Sequence, residues 1–172
     1  MSEYRRVYLP GATYFFTVVT EGRQPILTRP ENVDRLREAF RRVRARRPFE
    51  MEAVVILPDH LHCIWCMPDD DADYSLRWRL IKDYFSRAVA ADSRGKGEKR
   101  VWQRRFWEHV IRDDDDRGAY LDYIFYNPVK HGYVARPGDW PHGSFRDAVK
   151  RGWYEPDWGA AEPASVRGVE VE

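Results

Sequence analysis

Two histidines one residue apart, His60 and His62 in the run Pro58-Asp59-His60-Leu61-His62-Cys63-Ile64-Trp65, are the residues of this chain best spaced for chemistry. A β-strand sends alternate side chains to one face, so both imidazoles point the same way, roughly 6–7 Å apart at Cβ. That spacing suits two nitrogen ligands of a single metal ion. A structural reading competes with it, because buried histidines need hydrogen-bond partners and a carbonyl or carboxylate supplies one without any metal. On spacing alone the two readings stand about even. The neighbouring Cys63 and Cys66 look at first like zinc ligands. Positions three apart on a strand face opposite ways, however, so the two cysteines cannot both join a metal held by the histidines. They read as small buried hydrophobes.

A second pair lies downstream. Tyr123 and Asn127 are four apart and so share one face of a helix. A phenol and an amide oxygen would be presented together. Asn127 would complete a two-imidazole, one-oxygen metal site with open positions, while Tyr123 attacks a phosphorus that the site polarises. The chain has ten tyrosines, and Tyr120 and Tyr126 flank the candidate. Helical phase does not single out Tyr123.

Elements must position these groups. Tyr14–Thr20 is aromatic and β-branched and reads as a strand. Val33, Leu36, Phe40 and Val43 recur with a helical period over Asn32–Arg46, and Pro48 follows its end. Glu50–Leu57 reads as a second strand, the Pro58-Asp59 turn leads into a third at His60–Met67, and the acid-rich Asp69–Asp73 forms a loop. A second helix is expected over Ser75–Ala91 with Ser75 as N-cap. Arg100–Gln103 and Phe106–Ile111 supply a fourth strand. A third helix starts at Asp113 or Asp114, its acidic first turn matching the helix dipole, and stops near Asn127 before Pro128. Strand, helix, strand, strand, helix, strand is the split-βαβ order of an antiparallel ferredoxin-like sheet. The expected class is therefore α+β, βαββαβ, with an additional C-terminal catalytic helix covering the histidine face. Residues 1–158 form one domain in this reading, and 159–172 a loose tail.

Composition narrows the class. A chain of 172 residues with 43% hydrophobic side chains makes one globular domain with a core. The formal charge of +1 rules out attraction to nucleic acid by bulk field, so any such binding must come from a local patch. No apolar run is long enough for a membrane span, and Met1–Arg6 leads into a polar segment rather than a leader. Two cysteines beside the histidines make a disulfide framework a poor expectation. The expected location is the cytoplasm.

Two stretches carry a family resemblance. Leu57-Pro58-Asp59-His60-Leu61-His62-Cys63-Ile64-Trp65 and Asp122-Tyr123-Ile124-Phe125-Tyr126-Asn127-Pro128-Val129-Lys130-His131-Gly132 closely resemble the REP-associated tyrosine transposases, members of the single-tyrosine HUH endonuclease and transposase superfamily. Ser2-Glu3-Tyr4-Arg5-Arg6, Arg47-Pro48-Phe49-Glu50, Trp102-Gln103-Arg104-Arg105-Phe106-Trp107-Glu108-His109 and Asp139-Trp140-Pro141 extend the likeness to about Trp158. The resemblance implies Mg²⁺ or Mn²⁺ on His60 and His62, and Tyr123 as the nucleophile that cuts single-stranded DNA. It places Asn127 where relatives often carry a polar third ligand, commonly Gln. Glu108 and His109, on the strand before the third helix, follow as weaker candidates to support the histidine ligands. The implied partner is DNA bearing a hairpin, a repetitive extragenic palindrome with a single-stranded flank, which would place the protein with the nucleoid.

The rest of the sequence fits a nucleic-acid substrate. Arg94, Lys96, Lys99, Arg100, Arg104 and Arg105 form a basic segment opposed by Glu98, with Trp102, Phe106 and Trp107 interleaved, a pattern suited to single strands. Arg5, Arg6 and Lys130 extend the candidate DNA surface, as could the arginines of the first helix, which are equally well explained as a solvated face. A monomer is preferred to a homodimer. Two alternatives stay open: a non-catalytic nucleic-acid-binding module on the same fold, and a metal phosphodiesterase that activates water.

Overall fold

Alternation of apolar side chains on both faces of its strands gives this chain a sheet that must be covered twice. The computed structural model describes residues 5–92, 100–169 and 171. Its elements are β1 (Thr13–Val19), α1 (Pro30–Arg46), β2 (Glu50–Ile56), β3 (His60–Cys66), α2 (Tyr74–Asp92), β4 (Trp107–Val110), α3 (Asp114–Lys130) and α4 (Phe145–Lys150). The strands pair antiparallel in the order β2-β3-β1-β4. This is the ferredoxin-like arrangement expected from the element order, with β1 and β3 in the middle.

Strand parity sorts the core into two layers. Leu61, Cys63 and Trp65 of β3 join Tyr14, Phe16 and Val18 of β1 beneath α1 and α2. There the Trp65 ring stacks on Trp78 and Phe49, with centroids 4.4 and 4.0 Å away. Ile64, Phe15, Ala53 and Val55 face the other way and meet Leu121, Ile124 and Phe125 of α3. His60 and His62 share the parity of Ile64. The helix that carries Tyr123 and Asn127 therefore covers the histidine face.

Several boundaries differ from the sequence reading. The cap of α2 is Asp73, whose Oδ1 accepts the Leu76 N–H at 3.0 Å, and Ser75 lies within the first turn. Pro128 does not stop α3, which runs on to Lys130. Proline lacks an N–H, but only a turn from the end this forfeits a single bond. The His131 and Gly132 N–H groups still close the terminus on the Asn127 and Val129 carbonyls. The fourth strand is limited to Trp107–Val110, and the Arg100–Gln103 piece contributes one bridge, Trp102 to Thr20.

The C-terminal segment is not loose over its described length. Ala164–Gly168 forms a 3-10 turn that buries Val166 in the α3 layer, and Ser165 Oγ donates to Asp122 Oδ2 at 2.7 Å. Val166, with Val169 and Val171 packed against the same layer, and the hydrogen bond to α3 supply an attachment that composition did not advertise. Residues His142–Ser144 lie along the edge of β2, with Ile56 N–H donating to the His142 carbonyl at 2.8 Å and Ser144 N–H to the Val54 carbonyl at 2.9 Å. Gly143 permits this approach, since a Cβ there would lie 2.9 Å from the Val54 carbonyl oxygen. The edge is thereby covered. Among the described residues no helix is long and apolar enough to cross a membrane.

The entry to α3 is tied to β4 by Asp116. Its carboxylate accepts from His109 Nε2 at 2.8 Å and from the Arg112 N–H at 2.9 Å, and the Asp116 N–H is capped by Asp113 Oδ1 at 2.8 Å. Burial raises the Asp116 pKa, but hydrogen bonds from Arg112 and His109 outweigh it and bring it down to about 2. A depressed carboxylate stabilises the fold above its unfolded pKa and loses that contribution as pH falls through its folded value. Asp116→Asn is expected to cost about 2 kcal/mol near neutral pH. In denaturant unfolding the gap from the wild-type chain should close as pH falls from about 4 to about 2.

Candidate active site

The centre begins with a cross-strand pair. Thr17 on β1 lies directly opposite His62 on β3, and its Oγ1 stands 2.8 Å from His62 Nδ1. The side chain of the preceding turn residue holds the other imidazole, with Asp59 Oδ1 accepting from His60 Nδ1 at 2.6 Å. Proton on Nδ1 leaves the lone pair on Nε2, the form a metal ligand needs. Burial drives the His62 pKa well below the usual histidine value, helped by the nearby cationic or ionisable His60, His131, Lys130 and Arg23. His62 is thus the neutral imidazole. The two rings lie 4.9 Å apart.

Helix α3 and its C-cap bring Tyr123 and His131 against this pair. The Tyr123 ring packs edge-on to His62 at 5.2 Å, and Lys130 Nζ stands 4.9 Å from the centre of the Tyr123 ring. One turn beyond Asn127, at the helix C-cap, the His131 ring lies 5.2 Å from His60. Asn127 falls between Tyr123 and His131 at helical spacing. It is fully buried, yet neither its Oδ1 nor its Nδ2 has a hydrogen-bond partner among the described residues, and the same holds for His62 Nε2. Leaving a polar group unpaired in the interior costs about 1–3 kcal/mol. Orphaned ligand atoms on facing elements fit a cation better than they fit a packed core.

The donor set is narrow. Among the described residues no three His, Cys, Asp or Glu side chains are grouped to hold a metal, so His131 does not complete a histidine trio. The residues that could hold an ion are His60 and His62, with the unpartnered amide of Asn127 on the facing helix. Cys63 is buried under α1 and α2, on the opposite face, and Cys66 sits beside Thr13 and Glu52.

The structure also separates the three tyrosines and sorts the remaining candidates. Tyr120 turns to His109, stacking at 4.4 Å, and to Phe15. Tyr123 lies on the histidine pair. His109 has the right face but is engaged by Asp116 and Tyr120. Glu108 pairs with Phe16 in the register and so faces the α1–α2 layer, where it forms an ion pair with Arg6. Strand alternation therefore removes Glu108 from the histidine centre. It also explains Arg6, whose guanidinium is held by Glu108 and lies over the Phe106 ring at 3.8 Å. Trp102 is not a platform for bases, because it is 5% exposed and packs on Phe85 in the core. Arg5, Arg100, Arg104 and Arg105 are exposed. Arg94, Lys96, Glu98 and Lys99 lie outside the described residues.

Thr17, Asp59 and His131 were missed in the sequence. Asp59 adjoins His60, and a carboxylate beside an imidazole is a recognisable orienting pair. Thr17 becomes visible only through strand register. The four-residue step from Asn127 to His131 was hidden by the assumption that Pro128 ends the helix.

Known proteins match this chain over most of its length. The family described as IS200-like transposases matches residues 9–112. A REP-associated tyrosine transposase of Escherichia coli K12 is 48% identical over 158 residues, covering 92% of this chain and 91% of that protein. A Haemophilus influenzae relative of the same description is 42% identical over 176 residues, covering 98% and 99%. A solved structure of a REP-associated tyrosine transposase bound to a REP hairpin superimposes with a TM-score of 0.83 at 44% identity, covering 99% of each chain. Identity at this level over nearly the full length places the chain in the REP-associated tyrosine transposases, within the IS200-like transposase family.

Proposed function

We propose that this protein cleaves and rejoins single-stranded DNA at hairpin-bearing, REP-like palindromes, with Tyr123 as nucleophile and Mg²⁺ or Mn²⁺ held by His60, His62 and Asn127. One observation carries the reading: Tyr123 is seated against His62 while His62 Nε2 and the Asn127 amide are buried without partners. The hairpin substrate is supported by the relative solved with a REP hairpin. Such a substrate places the protein with the nucleoid.

The residues divide the work simply. Attack of Tyr123 Oη on phosphorus forms the Oη–P bond and breaks the bond to O3′, giving a 5′-phosphotyrosine and a free 3′-hydroxyl. A phenol of pKa near ~10 is a modest nucleophile and a good leaving group, so a 3′-hydroxyl can reverse the step without a nucleotide cofactor. The Lys130 ammonium over the Tyr123 ring supplies positive charge that attracts an approaching phosphate. When bound, the metal supplies charge stabilisation at the phosphate oxygens. Thr17 and Asp59 fix the tautomer and orientation of its two imidazole ligands. Two imidazoles weigh toward Mn²⁺, because Mg²⁺ prefers oxygen ligands. Histidine pair and tyrosine come from one chain, so the chemistry does not require a second copy.

Covalent trapping tests the nucleophile. With Mn²⁺ and a hairpin oligonucleotide carrying a single-stranded flank, the wild-type chain should form a protein–DNA adduct. Tyr123→Phe should form none while binding the same DNA nearly as well. Cleavage that persists in this variant would assign the attack to water. For the metal, Thr17→Val and Asp59→Asn should each weaken Mn²⁺ binding about 10–100-fold by calorimetric titration. Unchanged affinity in both would contradict the orienting roles.

A further inference from the structure

Between the candidate centre and the edge of β2 runs a line of aromatic rings that the cleavage chemistry does not use. His131 beside His60 is followed by Tyr133 at 6.2 Å, Tyr133 by Trp140 at 5.3 Å, and Trp140 by His142 at 5.5 Å. The line is pinned to the sheet, because Trp140 Nε1 donates to the Ile56 carbonyl at 3.0 Å and the His142 carbonyl accepts from Ile56 N–H. Packing accounts for Trp140. It does not account for Tyr133, which leaves 46% of its surface in solvent while lying over Trp140 at an interplanar angle of 30°.

The line ends in a groove. A cavity of about 680 Å³ between α1 and β2 is lined by His142, Phe40, Phe49, Arg37, Arg41 and Arg44, among others. Its floor is apolar and its rim cationic, with Asp147 the acidic side chain on the same lining. Arg37 reaches Asp34 at only 3.9 Å, and its side chain is 67% exposed. Glu38 is shared between Arg41 and Arg42, which leaves a net positive charge on that turn. Fixed rings leading to exposed guanidinium groups and an apolar slot form the recipe for single-stranded nucleic acid: bases stack, phosphates pair with arginine.

We propose that the single-stranded DNA adjoining the cut phosphate leaves the centre along His131, Tyr133 and Trp140 and enters the α1–β2 groove, where Arg37 and Arg41 bind its backbone. This path rests on the DNA-cleaving reading above and names the surface that holds the flank. It lies on the β2 side of the sheet, away from the basic segment before β4. Charge complementarity and continuity with the centre argue for DNA as occupant rather than a peptide.

The test uses the full chain and two oligonucleotides, a hairpin with a long single-stranded flank and the same hairpin without it. Wild-type protein should bind the flanked form more tightly by fluorescence anisotropy. Tyr133→Leu should weaken binding of the flanked form about tenfold and leave the flankless form unchanged. Arg37→Gln combined with Arg41→Gln should do the same and make the salt dependence shallower by about 1.4 in log–log slope. Thermal unfolding of each variant checks that the fold is retained. An unchanged affinity and salt slope in both variants, with covalent adduct still forming, would overturn the path and leave the cleavage reading intact. Equal losses on both oligonucleotides would also overturn it, by showing that the residues do not serve the flank. If the wild-type chain formed no adduct, the cleavage reading and this proposal would fall together.

Discussion

The centre depends on the burial of His62. An imidazole on the central strand, 2% exposed, is held at Nδ1 by Thr17 and left at Nε2 without a partner among the described residues. Burial favours the neutral ring, the form in which an imidazole can act as a ligand. The cost of that orphaned nitrogen, and of the unpartnered Asn127 amide, is borne by the apolar contacts of α3 with the sheet through Leu121, Ile124 and Phe125. Those contacts seat the helix firmly enough that Tyr123 and His131 meet the histidine pair at opposite ends of the same stretch. Stability of the layer and geometry of the site are one arrangement.

Charge around the centre follows the same logic. His62 and His131 are both driven toward neutrality, chiefly by burial. Lys130 and Arg23 then supply fixed positive charge near His62. Asp59 is the countercharge: burial raises its pKa, but its hydrogen bond to His60 and its contact with Arg23 prevail and keep it ionised. Asp59 is engaged with His60 and Arg23, so it leaves the positive charge of Lys130 beside Tyr123 in place.

Much of this was legible in the sequence because it rests on local periodicity. The apolar residues on both faces of His60–Cys66 placed that strand in the middle of the sheet, and the alternation of His60 with His62 put both rings on one side. The four-residue step from Tyr123 to Asn127 was equally plain. Family resemblance, not helical phase, ranked Tyr123 above Tyr120 and Tyr126, and packing against His62 gives the physical distinction. Other features needed the third dimension. Thr17 becomes a partner of His62 only once β1 and β3 are in register, and Val166 shows its anchoring role only when α3 is beneath it. Trp102 among arginines reads as a base platform, but the same composition describes a core tryptophan at a basic surface. Glu108 is a different case, since strand alternation alone separates it from His109. Pro128 misled because a proline in the last turn of a helix forfeits little.

The central claim is that His62 Nε2 and the Asn127 amide, which have no partner among the described residues, bind a divalent cation together with His60. Crystals of the Tyr123→Phe protein with hairpin DNA and Mn²⁺, measured at the manganese absorption edge, test it directly. The account predicts one strong anomalous peak bounded by the Nε2 atoms of His60 and His62 and the Oδ1 of Asn127. A well-ordered centre with no peak there at saturating Mn²⁺, or a peak bound without either histidine, would contradict it.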